Sequence, residues 1–448
     1  MKSPEPAPSL RPSAPSTFAP ADPTTFFDEQ RRNRRATWRL ALGCIVAIIV
    51  VALPISLVLS PIFYGLVLTA VNIINLFIPI PTVVNLLHGA GGVAFALLDY
   101  LTGEAGAVIS PVSLALSVFA WFAPGMVAML AIWSGIYLLF RDAGLNGIVL
   151  SIGARPPRRD DLEEFQLGNI VAEMSIAAGI PAPRLLLLDS DAVNAAVIGS
   201  SQDDAAVIVS RRLLDEFDRE ETQGIVGHLI GSIGNGDLDI AFRMTSVRLS
   251  FSVLVAILKA PFGVRGRTMF VRLLRMGIQG WRRQLDRAGD QDLLKRMIDD
   301  TFDIEDSDAK DMPPLLIPFM VASNSVQWTL FVLVPGLLQP FLALLWRKRR
   351  YLADATAVQL TRNPEGLARA LFKPAWGAIP GGQGVSHLFL SGPVGSESLA
   401  DFFLWKGVGF HPPLKQRLLR LHAVGAHFDA AQLNAPAPTE SQPLLVSA

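Results

Sequence analysis

From Leu40 to Leu98 the chain carries no charged side chain apart from the titratable His88. A helix that crosses a bilayer needs about 20 predominantly apolar residues, so this stretch is long enough to cross twice. Pro54 and Pro61 are expected to interrupt its first part, and Pro79 and Pro81 to close its second. Uncharged runs recur at Ala105–Phe140 and at Pro313–Trp346, the latter ending in Arg347-Lys348-Arg349-Arg350. Leu249–Leu258 is apolar but short, and reads either as a weak span or as a buried helix. Charged residues make up only 17% of the chain, below the roughly one quarter usual in soluble domains, which supports the membrane reading. Lys and Arg total 39, as do Asp and Glu. The balance gives no reason to expect nucleic acid as a partner. Cys44 is the single cysteine, so neither an intrachain disulfide nor a cysteine-built metal site is available.

The first apolar run is preceded by Arg31, Arg32, Arg34, Arg35 and Arg39, and Arg141, Arg155, Arg158 and Arg159 follow the second. Positive residues stay on the cytoplasmic side, so both flanks are expected there, with an even number of crossings between them. The domain pattern expected from these shifts is a disordered Pro-rich cytosolic tail at 1–37 and an N-terminal membrane region at 38–140. The first part of a soluble domain follows at 141–248. Apolar helices flanking a mixed-charge insertion (265–311) occupy 249–346, the rest of the soluble domain 347–431, and a disordered tail 432–448.

Within the soluble portion, Leu162–Gly179 has helical periodicity, Arg184–Leu188 and Ala205–Ser210 read as strands, and Glu220–Asp237 reads as a helix. This last helix contains His228-Leu229-Ile230-Gly231-Ser232. Zinc proteases with H-E-x-x-H place two histidines at i and i+4 so that both reach one metal, and the glutamate activates the attacking water. Here the first histidine stands as His228. Leu229 occupies the base position and Ser232 the second ligand position. By itself, a lone histidine in an apolar helix is more often a satisfied core residue than a ligand.

Four elements place His228 in a wider pattern. They are Ala178-Gly179-Ile180-Pro181-Ala182-Pro183 with Asp189, Asn194 and Ala195; His228 through Asp237; Arg349-Arg350-Tyr351-Leu352-Ala353-Asp354; and His411-Pro412-Pro413 with Arg417 and Leu421. In this order, from about Asn169 to Leu421, they resemble the HtpX and CAAX prenyl endopeptidase family of membrane zinc metallopeptidases. The resemblance implies an α+β, gluzincin-like, mostly helical metallopeptidase domain attached to a multi-pass α-helical membrane region. It implies that Arg350 stands where the third zinc-ligating glutamate would be, and that Asp354 matches an aspartate that orients a ligating histidine. Asn194 and Ala195 match the element that aligns substrate, with Ala196 in place of an aromatic residue. His411-Pro412-Pro413 matches a closing structural turn.

The departures fall where activity resides: Leu229, Ser232 and Arg350. The remnant of the site is then His228, Asp237 and Asp354, with His228 the one remaining candidate metal ligand. Asp354 is expected to pair with Arg350 or to hydrogen-bond His228. No resident cofactor is expected, with zinc the one metal the remnant could still admit. His387, His411, His422, His427, Glu397 and Asp401 show no alternative ligand spacing. The expected function is a binding or regulatory pseudoprotease in a bacterial plasma (inner) membrane, its soluble domain cytosolic. Its expected partners are membrane lipids and membrane proteins or an active paralogue. The alternatives are an active zinc metalloendopeptidase of membrane protein quality control with atypical ligands, and a scaffold in which the groove has no role. The Arg347–Arg350 cluster is expected to face anionic lipid head groups.

Overall fold

The computed structural model describes residues 25–103, 110–143, 153–260, 267–268, 270–271, 275, 317–373, 376–377, 389–390 and 410–427. The expectations for the charged insertion therefore lie almost wholly outside the described residues. Those for residues 1–24, for His387, Glu397 and Asp401, and for the C-terminal tail from 428 lie wholly outside them.

Three long helices come first: α1 (Phe26–Phe77), α2 (Pro81–Thr102) and α3 (Pro111–Ala143). At 1.5 Å rise per residue the 52 residues of α1 span about 78 Å, well over twice the roughly 30 Å of a hydrocarbon core. The expected break at Pro54 and Pro61 does not occur, because both sit inside the continuous α1. Prolines are tolerated in apolar helices where neighbouring groups satisfy the backbone they free. The α1–α3 contact shows such a partner for the proline of α3: the Gly125 backbone N–H, next to Pro124, donates to Ser60 Oγ of α1 at 2.8 Å. Gly125 has no side chain, and a Cβ there would lie 2.7 Å from the Ser56 backbone, so only glycine admits so close an approach.

The tail expected at 1–37 is also corrected, since α1 begins at Phe26, capped by the Thr25 side chain. Its first turns bind residues of the C-terminal half of the chain. Glu29 pairs with Arg420 at 2.7 Å, Gln30 donates to Gln359 at 2.7 Å, and Arg362 lies 5.6 Å over the Phe26 ring.

The domain that follows α3 in sequence opens with α4 (Leu162–Ala178), capped by Asp161 at its start and by Gly179 in the left-handed region at its end. Three strands follow: β1 (Arg184–Leu188), β2 (Ala195–Ile198) and β3 (Ala206–Ser210). They form a sheet in the order β1-β3-β2, with β1 parallel and β2 antiparallel to β3, which leaves β2 at one edge. Arg155 ties α4 to the end of β1 by binding both Glu164 and Asp189. Next come α5 (Arg211–Glu216) and α6 (Arg219–Gly234). A capping box of Asp218 and Glu221 starts α6, satisfying backbone donors that the first turn leaves open.

Gly236, with φ 80°, turns the chain from α6 into α7 (Asp237–Lys259). The second half of α7 is the Leu249–Leu258 segment, whose Phe251, Leu254 and Val255 join an apolar core with Val51, Ile55 and Leu330. The segment is therefore helical and packs on two of the helices long and apolar enough to cross a bilayer. Then α8 (Ile317–Leu333) passes through a π-helical turn, Val334–Leu338, into α9 (Gln339–Thr361). Two short helices complete the described residues, α10 (Pro364–Phe372) and α11 (Leu414–Ala423). Four stretches are long and apolar enough to cross a bilayer: Phe26–Phe77, Pro81–Thr102, Pro111–Leu138 and Met320–Thr361. The protein is a membrane protein.

Candidate active site: a guanidinium on the buried histidine

The site lies where α6, α9 and α11 meet. Glycines on α6 let α9 come close: a Cβ on Gly231 would sit 3.0 Å from Thr356, and one on Gly227 would sit 3.1 Å from Thr361. At this separation His228 on α6 reaches Asp354 on α9, with Nδ1 2.7 Å from Oδ1. Of the two partners open to Asp354 from sequence, its hydrogen bond is to His228. Its ion-pair partner is Arg417 of α11, which donates through Nε at 2.9 Å and Nη2 at 2.6 Å. Arg417 is the side chain missed from sequence, although it stands in the fourth element of the pattern. Its signal was a charge at a fixed offset after His411-Pro412-Pro413, where Pro413 caps α11.

His228 has no solvent exposure. Burial outweighs the attraction of the Asp354 carboxylate, and Arg417 and Arg350 add to its effect, so the imidazole pKa falls from 6.5 to about 4. The ring is neutral at pH 7. Its Nδ1 then carries the proton donated to Asp354, and Nε2 offers a lone pair, the tautomer a metal ligand would have. The group on that lone pair is the Arg350 guanidinium, with Nη1 3.3 Å from Nε2. Arg350 also donates through Nη2 to the Phe389 carbonyl at 2.6 Å and lies 5.4 Å over the Trp346 ring.

The other candidate residues serve packing and polar pairing. Leu229 is fully buried and belongs to the apolar core, with Ile225, Ile230 and Leu421. Ser232 donates to Asp237 at 2.8 Å, and Asp237 also accepts from Arg349. The lipid-facing expectation for Arg347–Arg350 is therefore corrected for two of its four members. Arg349 and Arg350 are 6% and 3% exposed because the 3.6-residue helical period turns them, with Ala353 and Asp354, toward α6. Asn194 is buried, donates its side-chain amide to the Gly377 carbonyl at 2.8 Å, and precedes Ala195, the first residue of β2. His411 and Pro412 lead into the turn before α11.

These residues do not fit a zinc ion. A structural or catalytic zinc needs at least three nitrogen, sulfur or carboxylate donors. Here His228 supplies one, Ser232 is committed to Asp237, and a fixed cation stands on Nε2. Among the described residues no group of three or more His, Cys, Asp or Glu side chains could hold a metal.

The sequence pattern of Peptidase family M48 matches residues 161–424, a span that takes in α4, the sheet, the α6–α9 contact and Arg417. The chain belongs to peptidase family M48. Among curated proteins of this kind it is 30% identical over 256 residues to a "Protease HtpX homolog" of Streptococcus uberis, covering 56% of this chain and 71% of that one. It is 29% identical over 310 residues to the "Protease HtpX homolog" of Thermoanaerobacter pseudethanolicus, covering 68% and 87%. A third, from Dictyoglomus turgidum, is 28% identical over 289 residues, covering 62% and 76%. No solved structure matches the chain.

The buried neutral histidine of this M48 chain makes a pH prediction. The unfolded ring takes up a proton near pH 6.5 and the folded ring only near 4. Between these values the unfolded state binds more protons, so stability is complete above pH 6.5 and falls as pH drops toward 4. The linked loss is about 3 kcal/mol. Denaturation of the natural protein and of a His228→Gln variant at pH 7.5 and 4.5 checks this: the variant is expected to lose distinctly less.

Proposed function

We propose that the protein is a membrane-embedded metallopeptidase-like protein with a gluzincin-like domain, which binds or regulates membrane proteins, or an active paralogue, without hydrolysing them. One observation carries this reading: a guanidinium stands on the His228 nitrogen that a catalytic metal would need. The missing base supports it, since Leu229 has no proton to exchange and is enclosed in the core. General acid–base help of this kind is worth about 10²–10⁴-fold, and its loss alone would leave a feeble enzyme.

The membrane-facing part of the proposal is topological. The start of α1 touches α9 and α11, so an even number of crossings separates it from the soluble domain that α3 leads into. We assign full crossings to α1 and α3 and place α2 as re-entrant or interfacial. The arginines at 31–39, and Arg347 with Lys348, then lie on the domain side, which the positive-inside rule makes cytosolic. A bacterial plasma membrane, with anionic lipid at these cations, completes the assignment.

The test is elemental analysis of detergent-purified protein for zinc, beside digestion of casein. The expected result is below about 0.1 zinc per chain against the full equivalent that a three-donor site holds, with no cleavage. Stoichiometric zinc lost on His228→Ala, with casein cleaved, would overturn the proposal in favour of an active endopeptidase with atypical ligands. That alternative draws its support from the metal-ligand tautomer that Asp354 imposes on His228.

A further inference from the structure

The outer edge of β2 is where an added strand would find unused backbone groups, and edge strands recruit extended peptides through such groups. In this chain the edge holds a piece of the protein itself. Phe389 is paired antiparallel with Ala196, and the Leu390 backbone N–H donates to the Ala195 carbonyl at 2.8 Å. The two side chains point to opposite sides, as in a strand. Phe389 is buried against Leu186, Leu188, Ile198 and Ile208, and Leu390 joins the core around Leu229. Between them the Phe389 carbonyl receives the Arg350 Nη2–H at 2.6 Å, so one guanidinium joins this peptide group to His228.

From this geometry we propose that Phe389–Leu390 is an intramolecular pseudosubstrate on β2. The site's ligand is an extended peptide segment with a large apolar residue, which binds by replacing it. The proposal rests on the non-hydrolysing reading above and names the ligand of that same site. Arg350 fits the role because a fixed cation on His228 can grip a peptide carbonyl without activating water. The apolar residue is specified by the Phe389 pocket, where a charged side chain would be buried among aliphatic groups at prohibitive cost. Displacement is physically reasonable because the backbone hydrogen bond from Leu390 to Ala195, like any such bond worth about 1 kcal/mol net, is one that an incoming extended peptide makes again.

The experiment uses the full chain in detergent micelles and a fluorescein-labelled peptide copying residues 385–392, VSHLFLSG, read by anisotropy. A control peptide carries Asp in place of the residue copied from Phe389. Leu390→Pro removes the N–H that donates to Ala195, and is expected to bind the peptide at least about tenfold more tightly than the natural chain. Directly opposed antiparallel residues have Cα atoms about 4.5–5.5 Å apart, within disulfide range. Ala196→Cys with Phe389→Cys, in a Cys44→Ala background, should therefore cross-link on oxidation. The oxidised protein is expected to lose peptide binding at least about tenfold and to regain it on reduction. This pair keeps the test decisive should Leu390→Pro fail to fold. The proposal is overturned if the cross-link does not form, if the oxidised and reduced proteins bind alike, if neither binds, or if the Asp control binds as well. Zinc content and casein cleavage of the same preparations report separately on the non-hydrolysing reading, so either idea can fail without the other.

Discussion

Replacing Arg417 with methionine is expected to destabilise the protein by about 3–5 kcal/mol, the usual cost of removing one partner from a buried ion pair. Arg417 and Asp354 are each about 5% exposed along the side chain, and two hydrogen bonds join them. With the guanidinium gone, the Asp354 carboxylate keeps the His228 N–H but loses its ion-pair partner, in a place water does not reach. Coulomb attraction at such a site is several-fold stronger than at the surface, and so is the penalty for leaving it unmet. For a domain of this size the loss corresponds to a fall in Tm of roughly 10 °C. Thermal denaturation in detergent measures it. Asp354→Asn in the Arg417→Met background should recover part of the loss, because both charges are then absent. The exposed pair Arg243–Asp239, 59% and 45% exposed, provides the contrast, and Arg243→Met should cost under about 1 kcal/mol. A small effect at Arg417 would mean that α11 does not close the site as described.

The second large effect is a gain. The triple variant Leu229→Glu, Ser232→His, Arg350→Glu is expected to take up about one zinc per chain. Ser232 lies four residues after His228 on α6, so an imidazole there shares the face of His228. Arg350→Glu removes the cation from His228 Nε2 and supplies a carboxylate from α9, while Asp354 already fixes the tautomer of the first ligand. The variant gives up the Ser232–Asp237 hydrogen bond, and Asp237 keeps Arg349. Elemental analysis reads the metal. Added zinc at about 100 times its Kd should also stabilise the triple variant by about 2.7 kcal/mol while leaving the natural protein unmoved. A folded triple variant without zinc would mean that the α6–α9 spacing has itself drifted, and that more than three side chains separate this chain from a working site.

Much of the scaffold was legible in the residues. Arg184–Leu188 is a strand of aliphatic residues ended by Asp189, and its bounds agree with β1. The helix carrying His228 was legible as Glu220–Asp237 and spans Arg219–Gly234, its start fixed by the capping box of Asp218 and Glu221. β2 was implied only by the resemblance at Asn194-Ala195 and not by its own residues, because Ala195 and Ala196 carry little strand propensity. Ala195–Ile198 is extended because β3 lies beside it. The helix over Phe26–Thr37 was hidden for a related reason: its polar residues resemble a solvated tail until Glu29, Gln30 and Phe26 meet Arg420, Gln359 and Arg362.

The same division runs through the site. Sequence alone determined which residues share a helix face, since spacing of three or four is a property of the helix: His228 with Ser232, and Arg350 with Asp354. It also placed Leu229, Ser232 and Arg350 at the positions on which hydrolysis would depend. Only the tertiary structure decided the partners. Asp354 lies 126 residues from His228 and 63 from Arg417, and no local rule ranks those contacts above a pairing with Arg350 four residues away. The choice follows from the close α6–α9 approach at Gly227 and Gly231 and from the turn at Pro413 that aims Arg417 inward. Both are set by packing across the chain, where burial makes each unpaired charge too costly to leave.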